Sequence, residues 1–119
     1  MGLDSENWVL PLFQSVDDQD TKTFLSFLAD DVLFRFGNAD AVKGKEAVGE
    51  AVGGFFESIK GLHHDLSEIW YEPDAVICHG TVTYTRHDST TLSVPFANIL
   101  ETRDNLIKAY SIFIDLSAL

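Results

Sequence analysis

The sequence predicts an α+β domain in which helices cover one face of a mainly antiparallel sheet. Three observations carry this prediction. Apolar residues recur at helical spacing up to about Gly61 and alternate like strands after it. The segments Glu72-Pro73-Asp74, Asp88-Ser89-Thr90 and Arg103-Asp104-Asn105 divide the second half with turns too short for anything but antiparallel neighbours. The 119 residues, 45% of them apolar, contain no repeat or linker and so read as one domain, 1–119. A chain of this length buries roughly two-thirds of its unfolded surface and needs no metal or disulfide to hold it.

The first helix is predicted from Ser5 to about Val16, with Trp8, Leu12, Phe13 and Val16 on one stripe and Pro11 limiting where regular hydrogen bonding begins. Asp17-Asp18-Gln19-Asp20 ends it as a solvated acidic segment and places acids near the positive end of the next helix, Thr21 to Leu28. Asp30-Asp31 stops that helix, and Val32–Phe36 reads as a short strand closed by Gly37-Asn38. A third helix runs from Lys45 to Ile59; its Gly49, Gly53 and Gly54 each cost about 1 kcal/mol relative to alanine, which close packing would explain. Four strands follow, at about Leu62–Tyr71, Ala75–His87, Thr91–Thr102 and Leu106–Leu116.

Charge and cysteine content narrow the function classes. Nineteen acids against eight bases give a net charge of −11, which repels a phosphate backbone and argues against nucleic acid as partner. One cysteine, Cys78, excludes a disulfide scaffold, fits a cytoplasmic setting and reads as a small core residue. No apolar run reaches the ~18 residues of a membrane span, and Met1–Asn7 carries no signal-like segment, so no membrane partner is expected.

Alternation sorts the strand residues into two faces. Val82, Tyr84, Arg86, Val94, Phe96, Asn98, Leu100, Tyr110 and Ile112 share the even face, which is bulky and aromatic and belongs under the helices. The odd face, with Thr83, Thr85, Ala97, Ser111 and Phe113, is small and hydroxyl-rich and faces water or a second copy of the chain. Three-residue loops at Ser89–Thr91 and Arg103–Asn105 would bring Asn98 opposite Tyr110, unless a bulge, for example near Pro95, shifts the pairing. Tyr84, Arg86, Asn98 and Tyr110 are polar groups embedded in a core-like face. Each would cost about 1–3 kcal/mol if buried unpaired, so they form either a satisfied network, with Arg86 on a carboxylate such as Asp88, or the wall of a solvated cavity.

This layout resembles the nuclear-transport-factor-2-like superfamily and, within it, the SnoaL-like proteins. The carriers are Thr23–Arg35, Gly44-Lys45-Glu46-Ala47, Leu62–His64 followed by Trp70, Tyr84–Asp88 and the ending Phe113-Ile114-Asp115. The resemblance implies a cystatin-like α+β barrel, a cone in which a curved antiparallel or mixed sheet wraps three N-terminal helices around one deep pocket. It also implies a range of activities, from ketosteroid isomerase, limonene-epoxide hydrolase and polyketide cyclase to binders without activity, because fold alone does not settle function.

Carried over by residue, Arg86-His87-Asp88 matches the Arg-x-Asp pair of the epoxide hydrolases, and the spacing of two puts both ionic groups on the pocket face. The second carboxylate of that site is replaced by Ile112, and its water-holding residues by Phe34 and Phe36, so a full epoxide-hydrolase site is not expected. Asp31 and Asp40 are not carried over as the isomerase base. His64 shares parity with Trp70 at the pocket wall and is a candidate base; the alternative is a capping or buried histidine. His63, His64, His79 and His87 lack the spacing of a zinc site, and no metal or cofactor is implied. The expected site therefore has Arg86, Asp88 and His64 as catalytic groups, with Tyr84, Phe96, Asn98, Tyr110, Ile112, Phe34 and Trp70 around a small apolar molecule. The resulting expectation is a homodimer that isomerises, cyclises or hydrates that molecule without a cofactor, or that binds it without reaction.

Overall fold

Helix α1 spans Val9–Asp17 in a computed structural model that describes residues 8–119. The predicted helix start at Ser5–Asn7 lies outside the described residues. Trp8, Leu12 and Phe13 of the predicted stripe are buried, Val16 is partly so, Val9 is buried beside them, and Pro11 sits in the first turn, where its missing amide breaks no bond. Asp20 caps α2 by accepting the amide and the hydroxyl of Thr23. Helix α2 covers only Thr21–Leu25, because sheet pairing takes over earlier than periodicity indicates: the Phe27 carbonyl accepts the Ile107 amide at 2.9 Å. Strand β1 accordingly runs Leu28–Phe36. Asp30-Asp31 does not terminate a helix but lies in β1 where its register shifts, and Asp31 meets Arg103 at 2.7 Å.

Strand β2, Val42–Lys43, is too short to leave a sequence pattern and pairs antiparallel with β1. Gly44, with φ of 96°, then turns the chain into α3, Lys45–Glu57, which buries Val48, Val52 and Phe56. Gly49 packs against Leu25, whereas Gly53 and Gly54 face open space, so the packing explanation holds for Gly49 alone.

The remaining strands are β3 (Gly61–Glu72), β4 (Ala75–Thr85), β5 (Thr91–Arg103) and β6 (Leu106–Ile114). The sheet order is β2-β1-β6-β5-β4-β3, with β1 parallel to β6 and every other neighbouring pair antiparallel. The sheet is curved and unclosed, the mixed α+β arrangement expected from the sequence. Its core lies on the even face of β4 and β5, where Val76, Cys78, Val82, Tyr84, Phe96, Asn98 and Leu100 are all buried. Burying side chains such as Phe24, Leu12 and Leu28 stabilises the fold by about 1.5–3 kcal/mol each.

Three local details change what faces inward. First, β4 pairing ends at Thr85↔Thr91, and Arg86 begins a turn closed by its amide on the Thr90 carbonyl. Second, β5 and β6 are joined at the two-residue turn Asp104-Asn105, both at positive φ, and their register shifts between Glu101 and Thr102. Asn98 therefore stands opposite Ile112, and Leu100 opposite Tyr110, rather than Asn98 opposite Tyr110. No irregularity occurs at Pro95, which pairs in register with Thr81. Third, β3 carries a bulge between Leu66 and Glu68. Opposite it stands Gly80, where any Cβ would overlap the Asp65 carbonyl, so only glycine lets the bulged strand approach.

Candidate functional site

Between the concave face of the sheet and α3 lies a cavity of about 180 Å³. Its walls are mostly apolar, with Phe24, Phe34, Phe36, Phe55, Val82 and Phe96 prominent, and its polar exceptions are Asp40, His64, Tyr84, Asn98 and Tyr110. The aromatic wall is continuous: Phe34 lies 5.4 Å from Tyr110 between ring centroids, Phe36 lies 4.8 Å from Phe55, and Phe55 lies 5.7 Å from Tyr84. Tilted and edge-to-face contacts of this kind hold the rings without filling the hollow between them.

The most structured polar group is His64. Its place on β3, before the bulge, turns the ring inward between Phe13 and Phe96, each with its centroid at 5.1 Å. Its Nδ1 lies 2.6 Å from Oδ1 of Asp17, and its backbone amide donates to the other oxygen of the same carboxylate at 3.0 Å. Both side chains are nearly enclosed, 10% exposed for His64 and 13% for Asp17. An ionised carboxylate only accepts, so Nδ1 is the donor in this contact, and in the neutral form of the ring Nε2 presents a lone pair. No hydrogen bond joins Nε2 to a described residue. Exposed His63 reaches the outer Asp17 oxygen at 3.5 Å.

Asp17, expected from the acidic run to be a solvated helix end, is instead nearly enclosed against His64. Its signal was present: Asp17 lies four residues after Phe13, hence on the buried stripe of α1, and Phe13 packs on the same His64 ring.

Asn98 comes from the centre of β5, between Cys78 of β4 and Ile112 of β6, and is 2% exposed. Its Oδ1 is buried without a hydrogen-bond partner among the described residues, a state that costs about 1–3 kcal/mol. Burial pushes the phenols of Tyr84 and Tyr110 well above the ordinary tyrosine range, so both remain protonated donors at neutral pH. Burial likewise raises the Cys78 thiol to about 11, in keeping with its place in the core.

Of the residues expected at the site, the structure brings Phe34, His64, Tyr84, Phe96, Asn98, Tyr110 and Ile112 to the cavity and leaves Arg86, Asp88 and Trp70 off it. Because β4 ends at Thr85, the inward direction assumed for Arg86 and Asp88 lapses. Arg86 instead donates to the carbonyls of Ala118 at 2.7 Å and Leu119 at 3.5 Å. Asp88 binds the amide and hydroxyl of Thr90, which hold its exposed carboxyl below the usual carboxylate range. The two meet only through Thr90, whose hydroxyl also accepts from Arg86 at 3.1 Å. Trp70 lies beyond the β3 bulge, which reverses its parity; it is 47% exposed and stacks on His79 at 5.6 Å. Asp40, not carried over from the isomerases, does line the cavity, at an exposed position.

Among the described residues, no cluster of three or more His, Cys, Asp or Glu side chains could hold a metal ion, and no helix is long and apolar enough to cross a membrane.

Comparison with known proteins places this geometry. No curated protein matches the sequence at a meaningful level. Among solved structures, TerC co-crystallised with polyporic acid is 20% identical with a TM-score of 0.80, over 92% of this chain and 90% of that one. A hypothetical protein of Catenulispora acidiphila with a ketosteroid isomerase-like fold, in complex with trimethylamine, is 16% identical with a TM-score of 0.85, over 95% and 88%. An epoxide hydrolase of M. tuberculosis, similar to limonene-epoxide hydrolase, is 15% identical with a TM-score of 0.78, over 91% and 80%. At these identities the likeness establishes the cone fold of the nuclear-transport-factor-2-like superfamily and nothing finer. A family model for the SnoaL-like domain matches residues 9–110, and with that span covering most of the described elements, the chain belongs to the SnoaL-like family.

Proposed function

We propose that the protein is a cofactor-independent acid–base enzyme acting on a small, largely apolar molecule held in the cavity, with His64 as the proton-transferring group and Asp17 as its positioning partner. The observation that carries this reading is the 2.6 Å contact between His64 Nδ1 and Asp17 at the wall of an otherwise apolar hollow. A buried carboxylate fixes the tautomer, orients the ring and stabilises the imidazolium that forms when Nε2 takes a proton.

In an isomerisation, Nε2 removes a proton from carbon next to a carbonyl, and the electron pair moves to the carbonyl oxygen. A phenol of Tyr84 or Tyr110 donates a hydrogen bond to that developing charge. In a substrate with a neighbouring carbon–carbon double bond the charge extends over a dienolate, and the imidazolium returns its proton to the far carbon of that system as the carbonyl re-forms, leaving the histidine neutral. Cyclisation or hydration uses the same transfers with another nucleophile. Screening cyclic ketones, enols, lactones and epoxides should identify turnover that His64→Gln and Asp17→Asn each lower about 100-fold or more. Full activity in His64→Gln, with the fold intact by circular dichroism, would remove the dyad from the mechanism.

One observation favours a second reading, in which the protein binds a hydrophobic molecule without changing it. Ile112, Phe34 and Phe36 line the cavity where the epoxide-hydrolase resemblance calls for polar groups. Ligands recovered chemically unaltered after prolonged incubation would favour that reading.

A further inference from the structure

Helix α3 carries two glycines for which packing offers no reason. A Cβ added at Gly53 or Gly54 would meet nothing within 4 Å, unlike one at Gly49. Alanine fits both positions. Relative to alanine, each glycine makes local unwinding of the helix easier by a factor of about five.

These glycines stand at the cavity mouth. Of the residues lining the cavity, Ala39, Asp40 and Ala51 are exposed, so the opening lies between the β1–β2 loop and α3. Phe55 follows Gly54 directly and lies one helical turn after Ala51. It is half-buried and spans from α3 to the sheet, meeting Phe36 at 4.8 Å and Tyr84 at 5.7 Å between ring centroids. Further in, Tyr84 and Tyr110 are buried, and neither hydroxyl has a hydrogen-bond partner among the described residues. Donors left open in this way suit a guest, and the guest needs a way past Phe55.

Both ends of α3 are held from outside. At its start the Gly44 amide donates to the Val32 carbonyl of β1 at 2.8 Å. At its end Gln19 Nε2 donates to the Phe56 carbonyl at 3.1 Å, and His87 Nε2 donates to the Glu57 carbonyl at 2.8 Å. Fraying from either terminus is thereby resisted, and backbone movement is left to the glycine pair between them.

We propose that Gly53-Gly54 is a hinge and Phe55 the door of the cavity: opening of the helix at the glycines swings Phe55 off Phe36 and admits a ligand past Ala51 and Asp40. The inference rests on the cavity being the site of the proposed function, and it adds how a molecule reaches it. When closed, the ring keeps water from the site.

The test follows benzene, which an apolar cavity of about 150 Å³ takes up. Its exchange with the full chain is measured by NMR in the wild type, Gly53→Ala, Gly54→Ala and the double variant. A door that opens rarely slows entry and exit alike. Each alanine should lower the association and dissociation rates about fivefold, and the pair about 25-fold, with affinity held within about twofold. Solvent exchange of the Phe55 amide should slow by the same factors. Affinity that changes while the entry rate holds would overturn the inference, because the glycines would then shape the cavity rather than open it. No uptake of benzene by any form would overturn it together with the cavity as a binding site. Equal rates in all forms would sink the door alone and leave the acid–base reading standing, whereas gated uptake in a protein without turnover would keep the door and count against that reading.

Discussion

The β4–β5 turn and the β3–α1 contact each bring a basic residue near an acid, with opposite outcomes. In the turn, Arg86 and Asp88 sit two residues apart, and both spend their hydrogen bonds on local backbone, Thr90 and the 118–119 carbonyls. At the cavity, His64 and Asp17 are 47 residues apart, yet each presents the other with its strongest contact. Close spacing along a strand aims two side chains alike only while the strand continues, and β4 stops at Thr85. Contact between distant elements depends instead on packing, here Phe13 against the His64 ring, which also strips water from the pair. The enclosed contact is the more consequential of the two, because exposed pairs are screened.

The largest expected effect separates these two pairs directly. Once a turnover is in hand, Asp17→Asn should lower it about 100-fold or more, and Asp88→Asn should leave it within about twofold. Equal losses would return the turn to the mechanism and break the contrast.

Gly80→Ala acts on the bulge that turns His64 inward and Trp70 outward. With a Cβ overlapping the Asp65 carbonyl, the strands must separate, and urea denaturation should show a loss of about 3 kcal/mol. A substitution tolerated without cost would mean that the bulge does not need the close approach.

A smaller effect distinguishes the two regions by pH. The thiol of Cys78 and the phenols of Tyr84 and Tyr110 have folded pKa values raised above their unfolded ones by burial. Their contribution to stability is therefore fully present below about pH 9 and is lost as pH rises, for Cys78 between 9.0 and about 11. In the turn the sign reverses: hydrogen bonds from Thr90 depress the Asp88 carboxyl, so its contribution is present above its unfolded value of 3.8 and lost as pH falls through the lower folded one. Urea midpoints measured from pH 7 to 11 should fall at the alkaline end in the wild type and fall less steeply in Cys78→Ala. An alkaline limb that Cys78→Ala leaves unchanged would show that the thiol is not among its causes.

The sequence made the inward-facing residues of β4 and β5 legible because strict alternation from Val76 to Tyr84 and from Phe96 to Leu100 survives intact in the structure. Tyr84, Phe96 and Asn98 could thus be placed from parity alone. Alternation fails where a bulge intervenes: simple parity puts Trp70 inward and Tyr110 opposite Asn98, whereas the shifted registers turn Trp70 outward and set Tyr110 opposite Leu100. The two-residue strand β2 and the early end of α2 were hidden for a related reason: each is decided by a partner strand, through Phe34↔Val42 and through the Ile107 amide on Phe27.

By itself, then, the order of apolar and polar residues determined the α+β class, the helical stripes and the core-facing side of the long strands. These follow from local periodicity, which every residue of an element reinforces. Only the tertiary structure decided that Asp17 meets His64, that Arg86 leaves the cavity for the 118–119 backbone and that Asn98 keeps an unanswered carbonyl. Such outcomes hang on single bulges, strand ends and contacts between remote elements, where one residue of slip redirects a side chain and no repeating pattern records it.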